Sequence, residues 1–193
     1  MHKGRLEAFS DGVIAIIITI MVLELKVPHG AEFSDLAPLL PVFLSYVLSF
    51  IYLAIYWNNH HHLMQSVKHV NGAILWANTH LLFWLSLVPF VTGWSGENHF
   101  APLTVAAYSF VLLMAGIAYY ILSRALIAHH GKDSTLAQAI GDDFKGKVSV
   151  VSYVVAIIAA LWFPLLALSL ITLVAAIWLV PDRRIEKVMG TKN

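Results

Sequence analysis

Ser10 and Asp11 stand at the head of an apolar run, Val13 to Leu23, where hydrocarbon should begin and a carboxylate is costly. A hydroxyl beside a carboxylate has two uses in such a place. Both side chains accept backbone N–H bonds in the first turn of a helix, which makes the pair an N-cap. Alternatively they reach sideways and tie neighbouring helices together in lipid. The polar residues such a network would draw on are Asn58, Asn59, His60, His61, His62 and Asn78. Neither use makes Asp11 a catalytic acid.

The run carries a second pattern. At about 100° per residue, Phe9, Gly12, Val13, Ile16, Ile20, Leu23 and Val27 share one stripe, with Thr19 at its edge and Asp11 nearly opposite. An aliphatic stripe on a membrane helix is, by itself, first of all a packing surface. Glu24, about 80° off the stripe, either makes the outer end negative and concentrates cations or is a solvated charge paired with Lys26 or a headgroup.

The run His60, His61, His62 invites a metal site, but consecutive helix positions fan out by about 100° and cannot aim three rings at one ion. No metal is expected there. With ordinary values near 6.5, these histidines and His69, His129 and His130 provide a possible source of pH sensitivity.

The elements that must position these groups follow from composition. Fifty-nine per cent of the 193 residues are hydrophobic and 12% charged, and the mean hydropathy is +0.76, far from the roughly half apolar and quarter charged of a soluble domain. The chain is therefore expected to be an all-α integral membrane protein. A net charge of +1 with no basic stripe excludes a nucleic-acid partner. Zero cysteines exclude disulfides and thiol chemistry. No Walker, Rossmann or HExxH pattern suggests an enzyme. Lys3 and Arg5 before the first run resemble a signal peptide's start, but Asp11 and the absence of a small-residue cleavage site argue for a retained helix.

A crossing takes about 20 apolar residues. The runs predict helices over about 9–27, 37–63, 73–94 and 102–126. Residues 148–180 carry no charge and would make about 50 Å of helix, too long for one crossing of a roughly 30 Å core. Phe163-Pro164 is the expected break, giving helices 148–163 and 165–180 and a single six-helix membrane domain over 1–193.

Charge placement favours six crossings. With both termini cytoplasmic, the inner segments hold Lys3, Arg5, Lys68, Arg124, Lys132, Lys145, Lys147, Arg183, Arg184, Lys187 and Lys192, leaving Lys26 outside, as the positive-inside rule prefers. Trp57, Trp94 and Trp178 fall near interfaces, and Trp76, Trp84 and Trp162 deeper.

Arg5-x-x-x-Phe9-Ser10-Asp11, opening the first of six helices, resembles the RxxxFSD signature of the transmembrane protein 175 family of potassium channels, known from lysosomes and prokaryotes. The Trp57-Asn58-Asn59-His60-His61 end of the second helix is similar too. The resemblance implies a prokaryotic, single-repeat member that assembles as a homotetramer in the cell membrane, with helix 1 lining a central pore. It further implies rings at Ile16, Ile20 and Leu23, with Thr19 beside the first, while Ile14 and Ile17 would fit the same aliphatic stretch under a shifted register. Glu24 marks the outer mouth. Arg5, Phe9, Ser10 and Asp11 then pack against neighbouring helices, in a structural network with Trp57, His60, His61 and Asn78.

Such a pore lacks the TVGYG carbonyl filter, so a constriction of methyl groups remains, which can gate by dewetting. Potassium, less tightly hydrated than sodium, sheds water more readily, and a modest preference for it is expected. No cofactor is implied, only permeant potassium ions, the bilayer and further copies of the chain. The alternative is a proton- or ion-coupled secondary transporter, for which His80 and Pro89 are the best mid-helix candidates.

Overall fold

The computed structural model describes residues 2–131, 134, 136, 137 and 143–179. Lys132, Arg183, Arg184, Lys187 and Lys192, five of the expected inner charges, and Val180 lie outside the described residues. Eight α-helices are described: α1 (Gly4–Ile20), the short α2 (Phe33–Leu36), α3 (Leu40–Gln65), α4 (Gly72–Ser86), α5 (Val88–Glu97), α6 (Pro102–His130), α7 (Phe144–Ala160) and α8 (Pro164–Leu179).

Local chemistry sets the ends. The Asn71 side chain accepts from the Ile74 N–H at 3.0 Å and opens α4, a standard N-cap. Pro89 has no N–H to give Leu85, so the rod from Gly72 to Glu97 breaks at Leu87. Proline at the first helical position opens both α6 and α8. Gly131, at φ 93°, ends α6, where a left-handed residue fits without a Cβ penalty. The break before Pro164 spans residues 161–163, and Trp162, expected deep, sits exposed in that turn.

Among the described residues, four helical segments are long and apolar enough to cross a membrane: Gly4–Glu24, Phe33–Gln65, Gly72–Glu97 and Pro102–His130. At 17 and 16 residues, α7 and α8 are apolar but only about 25 Å long, just short of the hydrocarbon core.

Helix α6 runs through the middle of the packing, against α4, α5, α7 and α8, while α7 and α8 pair as a hairpin. Helix α3 lies along α5. They approach so closely that a Cβ on Gly96 would fall 2.6 Å from Val42 Cα. A relay of hydroxyls holds this scaffold. Thr92 gives its proton to Val88 O at 2.6 Å, so its oxygen must accept from Ser49, 2.6 Å away, and Ser49 in turn accepts from Tyr108 at 2.7 Å. Ser45 adds a bond to Thr92 O at 2.7 Å.

Candidate functional site: the open face of the first helix

Helix α1 is wedged between α3 and α4, and its two sides differ completely. Leu6, Ser10, Ile14, Ile17 and Met21 face the protein and are buried, Ile14 at 1% and Ile17 at 3% exposure. The other side is open: Ile16 is 61% exposed, Ile20 42% and Leu23 76%. A register placing Ile14 or Ile17 on the open face is thereby excluded.

The helix ends sooner than its apolar run. Beyond Ile20 the backbone tightens into a 3₁₀ turn, Met21–Glu24, and Val27 lies outside it. In a 3₁₀ turn residues three apart eclipse, so Leu23 stands directly over Ile20. Thr19, exposed, points its hydroxyl proton back to Ala15 O and Ile16 O at 3.0 and 2.9 Å. Its lone pairs are left as acceptors.

Toward the N-terminal end of α1 Ser10 and Asp11, about 100° apart, fork onto two different helices. The single Ser10 proton goes to Leu6 O at 2.8 Å, so Ser10 must accept from Asn78 Nδ2 at 2.9 Å. Asn78 therefore turns Oδ1 to His60, and His60 Nε2–H donates to it at 2.8 Å. All three residues are buried, at 0–1% exposure. The relay assigns the His60 tautomer and leaves Nδ1 buried with no hydrogen-bond partner among the described residues. Asp11, half-buried, instead accepts from Trp57 Nε1 of α3 at 3.1 Å. Trp57 stacks on His61, whose ring lies 3.7 Å from the Glu7 carboxylate.

Arg5 and Phe9 are corrections to the expected network. Both are exposed, and Arg5 has no ion pair with a described residue. The reason is angular: counted at about 100° per residue, both fall within about 20° of Ile16, on the open face. Glu24 leans toward α5, where a Cβ on Gly93 would lie 2.8 Å from its Oε2. Lys26 pairs with Glu97 at 2.6 Å, leaving Glu24 without it as a hydrogen-bond partner. Glu97 holds the Lys26 ammonium above the ordinary lysine value of 10.5.

His61 and His62 fan apart as consecutive helix positions must, and among the described residues no three His, Cys, Asp or Glu side chains gather as a metal site would need. The scaffold relay escaped the sequence reading. Its signal was the spacing of Ser45, Ser49, Tyr52 and Tyr56 along one side of α3.

A narrow apolar face, covered by no other described helix of its chain and fixed at one end by a polar fork, presents mainly methyl groups. It can pack or line a passage. The family described as endosomal/lysosomal potassium channel TMEM175 matches residues 5–89, which contain the fork and the face. A protein named potassium channel from Chryseobacterium sp. is 58% identical over 187 residues, 97% of each chain. The human protein named endosomal/lysosomal proton channel TMEM175 is 33% identical over 101 residues, 46% of this chain and 20% of that one. The crystal structure of a lysosomal potassium-selective channel TMEM175 homolog from Chamaesiphon minutus superimposes with a TM-score of 0.81 at 29% identity, covering 93% of this chain and 97% of that one. The chain therefore belongs to the TMEM175 family of potassium channels and is a multi-pass membrane protein.

Proposed function

We propose that this chain is a passive potassium channel, modestly selective over sodium, whose pore is walled by the open face of α1 from four copies. Each copy crosses the cell membrane six times with both ends cytoplasmic. The observation that carries the reading is the contrast within α1, where Ile14 and Ile17 are buried while Ile16, Ile20 and Leu23 stand open.

Rings of Ile16, Ile20 and Leu23 make the constriction. Methyl groups offer an ion no replacement for its water, so the less tightly hydrated cation passes more easily. Thr19, with its proton held by the backbone, presents acceptor lone pairs beside the first ring, suited to a cation or its water. Glu24 places a carboxylate at the outer mouth. No cofactor takes part; the permeant ion is the only small partner.

The test is flux from liposomes of purified protein, potassium against sodium, for wild type, Ile16→Asn and Leu23→Ala. Wild type is expected to pass potassium ahead of sodium, and each substitution to raise flux several-fold or flatten the preference. Wild type that moves ions only with a coupled gradient, or folded variants with unchanged flux, would overturn the reading. The name of the human relative makes protons a second permeant to measure, with a pH gradient across the same vesicles.

A further inference from the structure

The hairpin of α7 and α8 has one packed side and one open side. Its small residues Ala156, Ala160, Ala167 and Ala175 are buried, on the side where small residues let helices approach. The open side turns out Val151, Val154, Ile158, Leu165, Leu166 and Leu173, all exposed. The hydroxyls beside them, on Ser169 and Thr172, give their protons to Leu165 O and Leu168 O of their own helix, each at 2.8 Å. Bulky aliphatics, with the small residues already spent elsewhere and no hydroxyl proton on offer, suit lipid tails better than another helix.

Two tryptophans mark where that side begins and ends. Trp178 Nε1 donates to Ser149 Oγ at 2.8 Å, and Lys145 Nζ stands 5.6 Å from the centre of a Trp178 ring. An ammonium and an indole together belong at the wet edge of a membrane. Trp162 and Phe163, both exposed, form the tip at the other end, and an indole N–H belongs at a wet edge there too. At about 1.5 Å per residue, Ser149 to Trp162 is about 20 Å and Trp178 back to Pro164 is about 21 Å. A hydrocarbon core is about 30 Å thick, so the edge is too short, and any tilt shortens it further.

The hairpin cannot slide to hide the deficit at one end. Tyr52 of α3 donates to Ile171 O of α8, and Tyr153 of α7 donates to the Tyr52 oxygen at 3.4 Å. Tyr52 is near the middle of the 26-residue α3, which runs about 18 Å from it one way and about 20 Å the other. From Tyr153 and Ile171 the hairpin reaches only about 11–14 Å either way. It is pinned centre to centre on a longer helix.

We propose that this hairpin holds the bilayer thin along one edge of the protein and gathers phospholipids with short acyl chains around it. A segment shorter than the core is matched by thinning the bilayer, and lipids whose tails are already short need the least thinning. The inference rests on the six crossings proposed above and not on which ion passes.

The chain has no cysteine, so one introduced thiol carries the only label. Val154→Cys, bearing a fluorophore, is placed in vesicles of brominated dioleoyl phosphatidylcholine, whose bromines quench it. Unbrominated dimyristoleoyl phosphatidylcholine is expected to restore the fluorescence several-fold more effectively than dierucoyl phosphatidylcholine. Ile158→Cys, on the same open side, repeats the measurement and covers a first variant that folds poorly. Equal restoration by the two lipids, or better restoration by the longer one, would overturn the inference. In cells, Leu161→Cys at the tip is expected to react with a membrane-impermeant maleimide added outside. A reactive tip without chain-length preference leaves the six crossings standing and sinks the thin edge alone. A tip that reacts only with a permeant maleimide sinks both.

Discussion

Two buried relays hold this molecule, and they obey one rule. In the first relay His60 donates to Asn78, Asn78 to Ser10 and Ser10 to Leu6 O; in the second, Tyr108 donates to Ser49, Ser49 to Thr92 and Thr92 to Val88 O. Each ends on a backbone carbonyl, so no donor along the line is stranded. They differ in what they hold. The second relay joins α3, α5 and α6 and does not touch α1. The first joins α3 and α4 to α1. Among the described residues the first helix is therefore tied to its neighbours by polar bonds toward its N-terminal end, and toward its C-terminal end it rests on aliphatic packing and the exposed Lys26–Glu97 pair.

The largest effect should come from the relay that includes α1. Asn78→Leu keeps the volume but strands the His60 N–H and removes the donor to Ser10, at about 2–4 kcal/mol. Denaturant unfolding in micelles is expected to show that loss, with potassium flux disturbed as well because α1 is released. Unchanged stability would mean that the relay is not a tie at all.

Ser49→Ala should cost less, about 1–2 kcal/mol, and leave the potassium-to-sodium ratio of folded protein as it was. A changed ratio would erase the distinction between scaffold and pore helix. Smallest of all is Lys26→Ala. Because Glu97 raises the Lys26 value above 10.5, its contribution is fully present below pH 10.5 and disappears as pH climbs through the raised value. Being exposed and screened by salt, the pair should leave no measurable mark on unfolding at neutral pH. A marked effect would show that the C-terminal end of α1 is anchored after all.

The open face was legible in the sequence because a 3.6-residue period survives in any uniform apolar helix, and Ser10 and Asp11 were legible because polarity stands out in hydrocarbon. Which helix each would reach was not, since that depends on how α3 and α4 close around α1. Arg5 and Phe9 were misplaced for a different reason. They were grouped by motif, when their angles already put them with Ile16. The end of α1 was overestimated because Leu23, Leu25 and Val27 continue the apolar run, and nothing in hydrophobicity distinguishes an α turn from a 3₁₀ turn. Pro28 was the only stop signal.

That tightened turn has a consequence for the wall it ends. On an α-helix a row of side chains winds like a screw thread, so successive contacts drift around the axis. At 3.0 residues per turn the drift is zero, and over the last turn Leu23 keeps the phase of Ile20. Two side chains thus form a straight rail parallel to the helix axis. Copies arranged by rotation about an axis would carry such rails as staves, and a passage between them would keep its cross-section along that turn without twisting.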